Sequence, residues 1–149
     1  MLNFLCVLIP LFSNLSKRHN NLNFSSCISS KLISLGGTGT SLIFGSGGRE
    51  SALAWKMQQS PLVEKVVVAP GNVGMTHNSD IQIFDCSLQA DEMLKVAKLI
   101  QPDVIVIGPE QPLVDGVADI LKKQGFCVVG PHRLAAQLET SKVFSKQFM

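Results

Sequence analysis

The pattern of apolar and polar positions changes character near residue 40. From Ser41 onward, short unbroken apolar runs alternate with stretches in which apolar residues recur every third or fourth position. Val66-Val67-Val68-Ala69, Val104-Ile105-Val106-Ile107 and Cys127-Val128-Val129 are runs of the first kind. A parallel strand buried on both faces needs such a run. Leu42-Ile43-Phe44 reads as a further strand, and so does the segment from Ile81 to Phe84. Helical spacing runs from about Glu50 to Gln59, with Leu53, Ala54 and Met57 on one face before Ser60-Pro61 stops it. It returns from Asp91 to Ile100 through Met93, Ala97 and Ile100, and from Val114 to Lys123 through Val117, Ala118 and Leu121. In the last of these, Asp115 and Asp119 come early and Lys122 and Lys123 late, which suits the helix dipole. Leu134 to Leu138 predicts a short helix, and Thr140 or Ser141 caps another. Strands alternating with helices of this length call for parallel β with right-handed crossovers. The predicted fold is a doubly wound α/β domain.

Residues 1–40 follow a different rule. Leu2 to Phe12 is an apolar run of about a dozen residues, whereas a helix spanning a bilayer needs about 20. It lacks the positive start of a secretory signal. The stretch after it is rich in Ser and Asn, carries Lys17, Arg18 and Lys31, and has no acid. Two readings stand side by side: an organelle transit peptide, or a disordered extension. Gly36-Gly37-Thr38-Gly39-Thr40 reads as a flexible joint before the folded part.

Composition narrows the classes. At 149 residues and 46% hydrophobic content, the chain has the length of about one domain with a real core. The net charge of +2 is unevenly spread, because every acidic residue lies from Glu50 onward. No basic stripe, interleaved aromatics or zinc spacing is present, so nucleic-acid binding has no support. Cys6, Cys27, Cys86 and Cys127 form no CxxC pair and read as reduced thiols. His19, His77 and His132 share no metal spacing.

The candidate chemistry lies where strands end. Val104–Ile107 meets Gly108-Pro109-Glu110, Val66–Ala69 meets Pro70-Gly71-Asn72, and Val128-Val129 meets Gly130-Pro131. Open α/β sheets bind ligands at the carboxyl ends of their strands. Gly45-Ser46-Gly47-Gly48-Arg49-Glu50 joins a strand to a helix. Glycines there let N–H groups approach an anion, the helix N-terminus adds favourable partial charge, and Arg49 can grip a phosphate with two donors. The dinucleotide fingerprint fails, because Glu50 stands where the third glycine belongs and would oppose a pyrophosphate. A single phosphate beside a ribose or amine fits better; the alternative is an ordinary tight turn. Glu110 reads either as a loop carboxylate for sugar hydroxyls or an amine, held by Pro109 and Pro112, or as a solvated acid or helix cap. Asn72 is a polar strand-end group or a plain turn residue. His132 is placed to face the same crevice. Lys142 opens a helix, where a cation is unfavourable unless an anion is near, so it is a candidate phosphate ligand.

GSGGRESALAWK, VVVAPGNVG, VIVIGPEQPLVDG and VVGPHRLAAQLETSKVFSKQFM, in this order and spacing, resemble the phosphoribosylamine–glycine ligases, or glycinamide ribonucleotide synthetases, over roughly Leu42 to Met149. The resemblance implies a Rossmann-like pre-ATP-grasp domain over 41–139, after an extension over 1–40, with 140–149 entering an ATP-grasp domain. It implies the purine-pathway reaction in which ATP activates glycine as an acyl phosphate and the amine of 5-phosphoribosylamine attacks it, assisted by Mg²⁺ or Mn²⁺. Gly45, Gly47, Gly48, Arg49 and Glu50, with Gly71 and Asn72 and with Gly108, Pro109 and Glu110, would form the phosphoribosylamine side. Lys142 would reach the ATP phosphates. Ser51 departs from the family's motif, which has histidine there; serine still donates a hydrogen bond but carries no charge. The resemblance further implies a cytoplasmic enzyme (mitochondrial or plastid if residues 1–40 direct it there), possible fusion to other purine-pathway domains, and no membrane partner. As a 149-residue fragment it is expected to be inactive. A stand-alone nucleotide or sugar-phosphate binding module, a related ATP-grasp ligase or carboxylase, and a nicotinamide-dependent oxidoreductase are the alternatives.

Overall fold

The computed structural model describes residues 39–77, 80–140 and 142–149. The predicted extension, with Cys6, Cys27 and His19, and the alternative cap Ser141 lie outside the described residues. Five strands form one sheet: β1 (Gly39–Gly45), β2 (Val63–Pro70), β3 (Ile81–Ile83), β4 (Val104–Ile107) and β5 (Val128–Val129). Every pairing is parallel, in the order β3-β2-β1-β4-β5. Six helices connect or follow them: α1 (Gly48–Gln58), α2 (Ala90–Ile100), α3 (Glu110–Val114), α4 (Val117–Lys123), α5 (Arg133–Thr140) and α6 (Lys142–Phe148). A 3-10 turn, Val73–His77, precedes β3. The predicted doubly wound α/β architecture is the observed one.

Strand alternation sorts the core into two layers. Leu42, Phe44, Val67, Ile105 and Ile107 point to one face, where Met93, Val96 and Ala97 of α2 and Val117, Ala118 and Leu121 of α4 cover them. Ile43, Val66, Val68, Val104 and Val106 point to the other, against Ala54 and Met57 of α1 and Met75 of the 3-10 turn. Leu42, Ile43 and Phe44 are wholly buried, which is why the central strand carries no polar residue there. Each such side chain contributes about 1.5–3 kcal/mol of burial.

Two local expectations change. Gly39 and Thr40 are not a joint but the start of β1. The Gly39 N–H donates to the Leu62 carbonyl at 2.9 Å, and the Thr40 N–H donates to Asp103 Oδ2 at 2.9 Å. The helix expected over Val114–Lys123 is two helices. Gly116, at φ +84°, breaks them, a backbone region that side-chain-bearing residues rarely adopt. The first of the two begins at Glu110, so that residue opens α3 rather than sitting on a free loop.

Candidate functional site at the strand tips

The winding reverses between β1 and β4: the chain leaves β1 for β2 on one side and returns to place β4 on the other. The crevice at such a switch point is where open α/β sheets take ligands. Main-chain bonds hold three strand ends together there. The Gly108 N–H donates to the Phe44 carbonyl at 3.0 Å, and the Gly71 N–H donates to the Gly45 carbonyl at 3.1 Å. Asn72 adds a side-chain bond, its Nδ2 donating to the Ser46 carbonyl at 2.6 Å. Gly45, Gly47, Gly48, Arg49, Glu50, Gly71, Asn72, Gly108, Pro109 and Glu110 thus share one edge of the sheet. Ser46 was not singled out in the sequence, since it takes part through its carbonyl and every residue has one.

The glycines are needed mainly because of one acid. Glu50 is only 3% exposed. Its Oε2 accepts the Gly47 N–H at 2.7 Å. A Cβ on Gly45 would lie 2.7 Å from Glu50 Cγ and 3.0 Å from Pro109 Cδ, and a Cβ on Gly47 would lie 2.7 Å from Glu50 Oε2. A Cβ on Gly108 would overlap Glu50 Oε1. Gly45 also has φ +134°, so it is glycine on conformational grounds as well. Glu50 therefore lies beneath the loops and does not face outward as a ligand-contacting carboxylate. Its Oε1 is buried with no hydrogen-bond partner among the described residues. The N-terminal end of α1 supplies favourable partial charge to it.

Gly48 behaves differently, for a side chain there would meet nothing within 4 Å. Beside that open space, Arg49 Nη1 stands 3.8 Å from Glu110 Oε1, with the two side chains 45% and 43% exposed. Arginine and carboxylate from the segments that follow β1 and β4 thus lie side by side. Ser51, half-buried, donates its backbone N–H to the Gly47 carbonyl at 3.1 Å as part of α1.

Two predicted residues are placed elsewhere. His132 Nδ1 pairs with Asp119 Oδ1 at 2.5 Å, and Asp119 Oδ2 accepts the Arg133 N–H at 3.1 Å. His132 thus helps fasten the start of α5 to α4. The Arg133 N–H is the main cause holding the Asp119 carboxyl below its ordinary range; partial burial works against it, and His132 and Lys122 add to the lowering. Lys142 is exposed at the start of α6, which packs chiefly on α5.

The strand tips do not suit a metal ion. Glu50 is sealed under glycines and Glu110 is engaged by Arg49; among the described residues no group of three or more His, Cys, Asp or Glu is arranged to hold one. Among the described residues no helix is long and apolar enough to cross a membrane.

The model of the N domain of phosphoribosylglycinamide synthetase matches residues 40–139, which include all three strand tips. The chain belongs to this family. It is 46% identical over 109 residues to the phosphoribosylamine–glycine ligase of Haemophilus influenzae, covering 72% of this chain and 25% of that protein. It is 47% identical over 108 residues to the ligase of Pseudomonas putida, again covering 72% and 25%. A bifunctional purine biosynthetic protein of Dictyostelium discoideum is 42% identical over 109 residues, 13% of its own length. The chain therefore spans about a quarter or less of these relatives. Within the N-domain family assignment, the β1–α1 loop and the ends of β2 and β4 all lie inside the matched span, and Lys142 lies beyond it.

Proposed function

We propose that this N domain supplies the aminosugar-phosphate side of an ATP-dependent ligase that joins glycine to 5-phosphoribosylamine, giving glycinamide ribonucleotide in purine biosynthesis. The observation that carries the reading is the tying together of the ends of β1, β2 and β4, with Arg49 and Glu110 3.8 Å apart at their mouth. Arg49 and the first amides of α1 hold the phosphate, since a guanidinium presents two parallel donors to it and the opening of a helix adds favourable partial charge. Glu110 accepts hydrogen bonds from the sugar hydroxyls or the amine. Gly71, Asn72 and Pro109 hold the loops that shape the floor. The relatives' names support the choice of substrate, and the Dictyostelium relative's supports fusion to other purine-pathway activities in longer forms.

ATP and Mg²⁺ or Mn²⁺ belong to the proposed reaction, and Lys142 is the candidate nucleotide contact on this chain. The 149 residues alone are expected not to cleave ATP, because stabilising the transferring phosphoryl needs clustered cationic groups. Cytoplasm is the proposed compartment, with mitochondrion or plastid as the alternative if residues 1–40 direct import; a fluorescent fusion with and without residues 1–40 separates them.

Titration calorimetry with ribose 5-phosphate and with NAD(H) tests the site. Saturable ribose 5-phosphate binding, reduced in Arg49→Ala, is expected. Tight NAD(H) binding would overturn the reading in favour of an oxidoreductase, and turnover of glycine, phosphoribosylamine and ATP by this chain alone would overturn the division of labour.

A further inference from the structure

Glu50 is a charge with no assigned task. It is 3% exposed, one carboxylate oxygen is bonded to a single N–H, and the other has no partner among the described residues. Leaving a buried charged acceptor unsatisfied is unfavourable, and a neutral side chain of the same size would avoid it. Yet glycines from two strand tips, Gly45, Gly47 and Gly108, vacate the space this carboxylate fills. What the arrangement secures is orientation. The bond to Oε2 turns the Gly47 N–H inward, while Ser46, Gly47, Gly48 and Arg49 remain at the surface. The amides that open a helix have no intrahelical carbonyl to bond. Here they belong to Gly48 and Arg49, both exposed, and a Cβ on Gly48 would meet no described atom within 4 Å.

We propose that Glu50 is a positioning residue. Seated in the glycine cradle, it locks the β1–α1 loop so that the opening amides of α1 and the Arg49 guanidinium converge on one phosphate at the β1–β4 mouth. This rests on the reading that the mouth takes a sugar phosphate. The carboxylate itself does not touch that ligand.

A double-mutant cycle separates positioning from space-filling. Gly108→Ala puts a methyl where Oε1 lies and should lower both the unfolding midpoint and the affinity for ribose 5-phosphate. Adding Glu50→Ala removes the clash, so the midpoint should recover towards that of Glu50→Ala alone. Affinity should stay roughly tenfold or more below wild type, the loss expected for one misplaced charge-assisted bond. Recovery of affinity together with stability would overturn the proposal. Glu50→Gln keeps the shape and an acceptor for Gly47 and should retain most of the affinity; a loss as complete as that in Glu50→Ala would mean that the charge contacts the ligand. Amide hydrogen exchange gives a ligand-free readout. In Glu50→Ala the Gly47 amide should lose protection, while the Gly71 and Gly108 amides, bonded to main-chain carbonyls, keep theirs. Unchanged Gly47 protection would overturn the positioning role by itself. A wild-type chain that binds no ribose 5-phosphate would sink the site reading instead, and the exchange result would still decide what Glu50 does.

Discussion

Arg49 and Glu110 face each other at 3.8 Å with nearly half of each side chain in water. An exposed pair of that kind contributes about 0–1 kcal/mol, so it holds the two groups near their working positions and yields readily to a ligand. Arg49→Ala should weaken ribose 5-phosphate binding by about 1.5–3 kcal/mol, read by calorimetry. Unchanged affinity would remove Arg49 from the site. The neighbouring glycines divide in the same experiment. Gly48→Ala meets no protein atom within 4 Å and should keep or raise stability, by about 0.4–1 kcal/mol if it acts through the unfolded chain. Its methyl group would still occupy the space proposed for the phosphate, so binding should fall. Gly45→Ala should instead lose stability in urea unfolding, because φ +134° and the Glu50 and Pro109 contacts all oppose a side chain there. Glycines that read alike in the sequence should thus give opposite stability results.

Elements show where the sequence was legible and where it was not. Val104-Ile105-Val106-Ile107 read as a strand buried on both faces, and its residues do alternate between the two core layers. The break at Gly116 went unread because Val114, Val117, Ala118 and Leu121 keep helical spacing straight through it; the positive φ is a backbone fact that periodicity does not carry. Glu50 read as a residue of the phosphoribosylamine side, and its burial went unread because it depends on Gly108, a residue far along the chain. No local pattern encodes such an encounter. The fastening of α5 was equally hidden, since His132 followed a strand-end Gly-Pro and looked like a crevice residue. Its partner Asp119 makes a pH prediction. The Asp119 carboxyl is held below its ordinary 3.8, so its contribution is present above that value and is lost as pH falls through the lower folded-state value. Urea unfolding of wild type and Asp119→Asn between pH 6 and pH 3 should show the wild-type advantage constant at first and shrinking below about 3.8. An advantage that grew on acidification would contradict the assigned cause.

At the scale of the whole molecule, the central strand β1 serves both core layers, as its neighbours β2 and β4 do. β1 sends Leu42 and Phe44 to the layer under α2 and α4, and Ile43 to the layer under α1, and its end carries Gly45 into the site. Neither layer can come apart without releasing β1, so the layers and the strand tips should unfold as one unit. Met57→Ala empties space in the layer under α1, and Leu121→Ala does so in the opposite layer; both side chains are buried. Each should cost about 2–5 kcal/mol. In both variants urea should produce a single transition, moved to lower concentration with the wild-type slope, because the surface exposed on unfolding is the same. Amide exchange at Gly71 and Gly108, the bonds that join the tips, should accelerate in each variant by one factor common to both amides and set by that variant's loss of stability, although one substitution lies on each side of the sheet. Two separate transitions, or tips that respond to only one of the substitutions, would mean that the crevice belongs to one layer and that the other can loosen without disturbing it.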